Sequence, residues 1–322
     1  MLKSWKLLIV GFGILCIIFV WYLLGKSFVS PPVPSLKLES TSTSVAGTAD
    51  LSAASVQQQK TTKISLPPLP AKRPDLVVEL ENARNLPTFM LNAKTRPSEG
   101  GYYIASIAAM HCAQFTNFSV KEFEATLPNA NIKRFGVASI EQREVQLKKV
   151  QERCAGYADN SEMSSIAFMK QGASAGDTLI KLAKDLRDER MSGRKIDGAL
   201  ISQAFAMNNP YAVEAAMTAL QVVDEGRLLF NGAAINGDEI GLVNKAMQLI
   251  PCGFGFDCGP ASKIEVRECI SSGTGCDMNR FERMQSTYNT PQEWERVMYF
   301  YNELSNAYRK GNYSIMSVKP KA

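Results

Sequence analysis

The chain has 322 residues, 45% of them hydrophobic, with 36 Lys and Arg against 31 Asp and Glu and a single His. That apolar fraction supports a substantial core, and the net charge of +5 is mixed along the chain rather than gathered in a basic patch, so no nucleic acid is expected as a partner. With one His, a Ser-His-Asp or Cys-His catalytic machine is not expected either.

The first element is LLIVGFGILCIIFVWYLLG, residues 7–25, uncharged and bracketed by Lys3, Lys6 and Lys26. At about 1.5 Å of rise per residue it matches the hydrocarbon thickness of a bilayer. Trp5, Trp21 and Tyr22 lie near its ends, where amphipathic rings favour the interface. The run is long for a cleaved signal, and Gly25-Lys26-Ser27 is a poor cleavage site. It reads as an uncleaved signal anchor, with residues 1–6 cytoplasmic and the C-terminal part exported. In a bacterium this means a single-pass inner-membrane protein with a periplasmic domain. Cys16 reads as a membrane-embedded thiol.

Residues 26–74 change character. Pro31-Pro32-Val33-Pro34, a Ser/Thr/Ala stretch and Pro67-Pro68-Leu69-Pro70 carry few large apolar groups. Such a tract cannot bury enough surface to offset its ordering entropy, so a disordered linker is expected. ISLPPLP (64–70) is its one candidate for a polyproline-type contact.

Beyond the linker the chain reads as helical, with a domain over 75–251 and a Cys-rich region with C-terminal helices over 252–322. Asp75 to Leu86 has helical apolar spacing, and Pro87 is expected to end or kink it. YYIASIAAMHCAQF (102–115) is a small-residue-rich helix. Ser139 and Gln142 form a capping-box pattern opening a helix with Ile140, Leu147, Val150 and Cys154 expected inward.

Six Cys lie beyond the anchor: Cys112, Cys154, Cys252, Cys258, Cys269 and Cys276. An even number after an export segment argues for disulfides. Cys112 and Cys154 are placed to staple two antiparallel helices, and the other four to form two local bridges. The connectivity itself is not readable from sequence. The chain has no C-x-x-C, and His111 is far from the Cys cluster, so neither zinc nor any other metal or cofactor is expected.

Three segments then recur, starting at Ser165, Ala199 and Arg227. Each reads as an Ala-containing helix, a turn and a second apolar helix. The turns are Ala175-Gly176-Asp177, Asn208-Asn209-Pro210 and Asn236-Gly237-Asp238. Over roughly residues 160–251 this resembles the Sel1-like and TPR-like helical repeats, with Ala173-Ser174-Ala175-Gly176-Asp177 as the closest copy. An irregular bundle with Ala-rich packing gives the same pattern. The layout of anchor, linker and Cys-containing helical domain also resembles envelope proteins of Gram-negative bacteria.

After the Cys cluster, Met278 to Thr287 and Pro291 to Lys310 read as helices, the second capped by Thr290 and Glu293. Trp294, Val297, Met298, Tyr301, Leu304 and Tyr308 make an apolar stripe expected to pack on the core. Trp294, Met298 and Tyr301 are the candidates should that face instead bind a partner.

No string identifies a reaction. Gly172-Ala173-Ser174-Ala175-Gly176 has the form of a nucleophile elbow, but a helix precedes it and no His follows. Ser192-Gly193-Arg194-Lys195 stands in a charged loop, where Lys keeps its ordinary pKa. The expected fold is an all-α, disulfide-stapled helical-hairpin domain. The expected function is that of a membrane-anchored, periplasm-facing scaffold for protein–protein interaction, without enzymatic activity. The alternatives are a divergent peptidoglycan enzyme or its accessory subunit, and a structural component of a secretion or envelope complex.

Overall fold

The computed structural model describes residues 67, 73–126, 138–160, 162–192, 196, 198–221, 227–288 and 290–319. The anchor expected over 7–25, nearly all of the linker expected over 26–74, and Gly193-Arg194-Lys195 lie outside the described residues. Among the described residues no helix is long and apolar enough to cross a membrane. The chain divides into Met1–Lys60, wholly outside the described residues, and Thr61–Ala322, the unit discussed below.

This unit contains thirteen helices among its described residues. Helix α1 (Asp75–Asn82) buries Leu76, Val77 and Leu80. Helix α2 (Leu86–Ala93) follows at once, with Asn85 accepting a hydrogen bond from Thr88 N–H. Pro87 therefore opens a helix rather than merely ending one. In the first turn its missing N–H has no intrahelical partner to lose.

Helix α3 (Gly101–Phe115) is the small-residue helix, with Ala105, Ala108 and Ala109 buried. It packs on α2 and on α6 (Ser165–Ser174). Gly172 of α6 permits that approach, because a Cβ there would stand 2.5 Å from Tyr102 Cβ and overlap the end of Ile180. Gly172→Ala is thus expected to cost about 1–3 kcal/mol through overpacking. Urea unfolding monitored by circular dichroism measures it, and a cost below about 0.5 kcal/mol would show that the crossing has room to relax.

Helices α4 (Val120–Thr126) and α5 (Ile140–Arg153) come next, α5 with the expected Ser139/Gln142 capping box. Its inward face differs from the expectation at one turn. Ile140 is 36% exposed, whereas Arg143 is 1% exposed. Arg143 donates to Ile270 O at 3.0 and 2.8 Å and pairs with Glu124. That carbonyl lies in the last turn of α11 (Lys263–Ser272), where it has no intrahelical donor and where a cation is electrostatically favoured.

The turn between α6 and α7 (Thr178–Met191) is the helix-end turn the sequence suggested, with Gly176 at φ +72°. Asp177 caps two helices at once. Oδ1 accepts from Leu179 and Ile180 N–H of α7 at 3.0 Å, and Oδ2 accepts from Tyr102 N–H of α3 at 2.8 Å. Helix α8 (Gly198–Ala206) leads through Asn209, which caps Tyr211 N–H, into α9 (Pro210–Leu220).

The third recurrent segment departs from the expected helix pair. Leu228–Phe230 (β1) and Ala233–Ala234 (β2) form an antiparallel hairpin instead. Its turn is Asn231-Gly232, both at positive φ (51° and 78°). Asn-Gly between apolar residues is the short-range signature of a tight hairpin. Met316–Val318 (β3) pairs with β1 on the other side, giving the order β2-β1-β3. The largely helical class stands, with this small sheet added.

Helix α10 (Gly237–Leu249) continues into a 3-10 turn over Ile250–Phe254. Helices α11, α12 (Arg280–Tyr288) and α13 (Pro291–Arg309) follow, α13 opening with the Thr290/Glu293 capping box. Helix α13 packs along α10. One core cluster runs from Leu76 to Val318. Three disulfides cross it: Cys112–Cys154 joins α3 to the end of α5, while Cys252–Cys258 and Cys269–Cys276 close short loops on either side of α11.

Candidate functional site

The residues singled out as a partner face are not available as one. Trp294 and Tyr301 are buried, and Met298 is partly buried against the core. Tyr301 stands edge-on to Phe281 at 5.3 Å. The stripe of α13 is spent on packing against α10.

Polar groups converge elsewhere, in a cleft of about 440 Å³ between α9, α10, α11 and α12. Glu214 and Thr218 line it from α9 and Gln221 from the residue just past its end, Lys245 and Gln248 from α10, Arg267 and Glu268 from α11, and Arg280 and Arg283 from α12. Met217, Met247, Ile264 and Met284 supply its apolar surface. A second cavity of about 270 Å³, lined by Leu186, Arg187, Arg190 and Ala219, shares Glu214 and Thr218 with the first.

Beneath the cleft lies a buried ionic triad. Glu265 is 0% exposed and receives Arg283 Nε at 2.5 Å and Nη2 at 3.1 Å, and Arg280 Nε at 3.3 Å. Arg280, 4% exposed, also donates Nη1 to Gln248 O at 3.2 Å and lies over the Phe256 ring. Its Nη2 has no hydrogen-bond partner among the described residues. The two local disulfides hold this arrangement. Cys258, bridged to Cys252, accepts Arg280 N–H at 2.9 Å through its carbonyl. Cys269–Cys276 ties the end of α11 to the turn before α12. In that turn Gly275, at φ +74°, leaves room for the Arg283 stem, which a Cβ would overlap at Cδ.

Around the triad several groups are displaced from their ordinary ionisation. Burial pushes the Glu214 carboxyl up, against the opposing pull of Arg280, Arg267 and Lys263. Burial, reinforced by Arg153, holds Lys263 well below the usual lysine range despite Glu81 and Glu214. The Lys263 ammonium is buried without a hydrogen-bond partner among the described residues, beside a small cavity lined by Glu81, Tyr211 and Asp257. His111 packs edge-on to Phe115 at 5.3 Å, and burial together with Lys263, Arg153 and Arg267 lowers it to about 3. It stays neutral and lies outside the cleft, as a packed helix residue does. Among the described residues no three His, Cys, Asp or Glu side chains gather to hold a metal ion.

None of the cleft's charged residues was singled out by sequence, although a signal existed. Arg280, Arg283 and Met284 share one face of α12 by i, i+3, i+4 spacing, and Glu265 stands four residues before a disulfide Cys. Charges on an inward stripe mark a buried ion cluster.

No family model matches the chain, and neither a curated protein nor a solved structure does.

Proposed function

We propose that the chain is a binding domain held at the bacterial inner membrane by residues 7–25, facing the periplasm, and that it recognises another envelope component through the cleft between α9, α10, α11 and α12. The observation that carries this reading is the cleft itself. It is a concave site of ligand-pocket size with a few convergent polar groups on an apolar lining, built on helices rather than mobile loops. Three disulfides in the same unit support an oxidising compartment.

Site-specific photocrosslinking in intact cells tests it. A crosslinker at Thr218 or Gln221, both at the cleft, is expected to give one adduct of discrete mass. The same crosslinker at Ile166, which is exposed on α6 and lines neither cavity, is expected to give none. Equal labelling at all three positions, or none at any, sinks the reading.

A divergent peptidoglycan enzyme is the second reading, favoured by Glu214. A carboxyl whose pKa burial raises, at the junction of two cavities, has the character of a general acid. Release of soluble fragments from purified cell wall, abolished in Glu214→Gln while the crosslink persists, would decide for the enzyme.

A further inference from the structure

We propose that the cleft takes the C-terminal carboxylate of an extended peptide whose last side chain is apolar, with Arg280 at the centre of the anion site; this rests on the binding-domain reading above. Four cations, Lys245, Arg267, Arg280 and Arg283, stand at or beneath the cleft against three carboxylates, Glu214, Glu265 and Glu268. Glu268 is engaged by Arg267 at 3.2 Å, and Glu265 must serve both Arg280 and Arg283. Among the described residues cations therefore outnumber carboxylates at the cleft, and a guanidinium fork matches a planar carboxylate.

The second observation is the orphaned donor. Arg280 is more than nine-tenths buried, it contributes to the cleft wall, and its Nη2 has no acceptor among the described residues. A buried donor without an acceptor is costly, and a ligand oxygen reached through a small shift of this side chain relieves that cost. The apolar part of the ligand is set by Met217, Met247 and Met284, whose unbranched side chains adapt to varied apolar shapes. Its extended form follows from the second cavity, which continues past Glu214 and Thr218 over Leu186 and Ala219. A short amphiphile fills the first cavity alone, whereas a peptide backbone has somewhere to continue.

Calorimetric titration of the full-length chain in lipid nanodiscs tests this with four probes: an N-acetylated Ala-Ala-Leu peptide with a free C-terminus, its C-terminal amide, octanoate and inorganic phosphate. The free acid is expected to bind at least tenfold tighter than the amide, with octanoate and phosphate weaker still. Arg280→Lys keeps the charge and removes the fork, and a tenfold loss is expected. Arg267→Glu, on the exposed rim, leaves the core intact should the first variant fail to fold, and a fivefold loss is expected.

Acid and amide binding equally, or unaltered affinity in Arg267→Glu, overturns the carboxylate assignment while the binding-domain reading stands. Octanoate binding tightest assigns the site to a free amphiphile and overturns the peptide. Absence of peptide binding, with the Thr218 and Gln221 crosslinks intact, overturns it as well.

Discussion

Glu265→Ala is expected to lower the stability of the helical unit by about 3–5 kcal/mol, the cost of leaving buried guanidinium groups without their counter-charge. Glu265 is completely buried and accepts from both Arg283 and Arg280. Its loss abandons two cations in a region where Arg267 already adds positive charge. A companion variant makes the result interpretable. Replacing Glu265, Arg280 and Arg283 together by Leu, Met and Met removes both signs at once, and such exchanges are commonly neutral or stabilising. The triple variant is therefore expected to fold at least as well as the parent while losing the ligand. Chemical denaturation of both variants measures the first half, and the titrations above measure the second. A single variant with parental stability would mean that water reaches the triad.

The Cys112–Cys154 bridge carries the second large effect. Its removal as Cys112→Ser with Cys154→Ser is expected to cost about 4 kcal/mol, because it closes the longest loop of the three, with a sequence separation of 42. The bridges with separations of 6 and 7 restrict far less of the unfolded chain and are each expected to contribute about 2 kcal/mol. All three together are comparable with the whole stability of a typical domain. The chain produced in a reducing cytosol is thus expected to accumulate poorly. Non-reducing peptide mapping should find the three bridged pairs and Cys16 as a free thiol. Equal losses in thermal midpoint for the three pairwise Cys→Ser variants would refute the ranking.

How much of this was legible in the sequence depends on whether the signal was local. The caps at Ser139, Thr290, Asp177 and Asn209 are local contests between a side chain and the next turn, and they were readable. So was the even set of six Cys beyond residue 25, with its division into one long and two short links. The Asn231-Gly232 hairpin was readable and was overridden by a neighbouring pattern of Ala-rich helices. Its two short strands acquire a third only from Met316–Val318, far along the chain. The cleft was not readable, because its walls come from four helices whose mutual placement is a tertiary fact. Spacing alone puts Arg280, Arg283 and Met284 on one face of α12, but that this face is the inward one is known only from the fold. Arg143 makes the same point, since its partner carbonyl at Ile270 is 127 residues away.

Where the chain enters the fold has a mechanical consequence. Arg73 donates Nε to Gly255 O at 2.8 Å and pairs with Glu81 of α1, while Gly255 lies inside the loop closed by Cys252–Cys258. Tension arriving along the N-terminal segment is therefore delivered to a covalently locked loop and to a helix clamped by Leu76, Val77 and Leu80. Such an attachment resists shear better than a frayed helix end resists peeling.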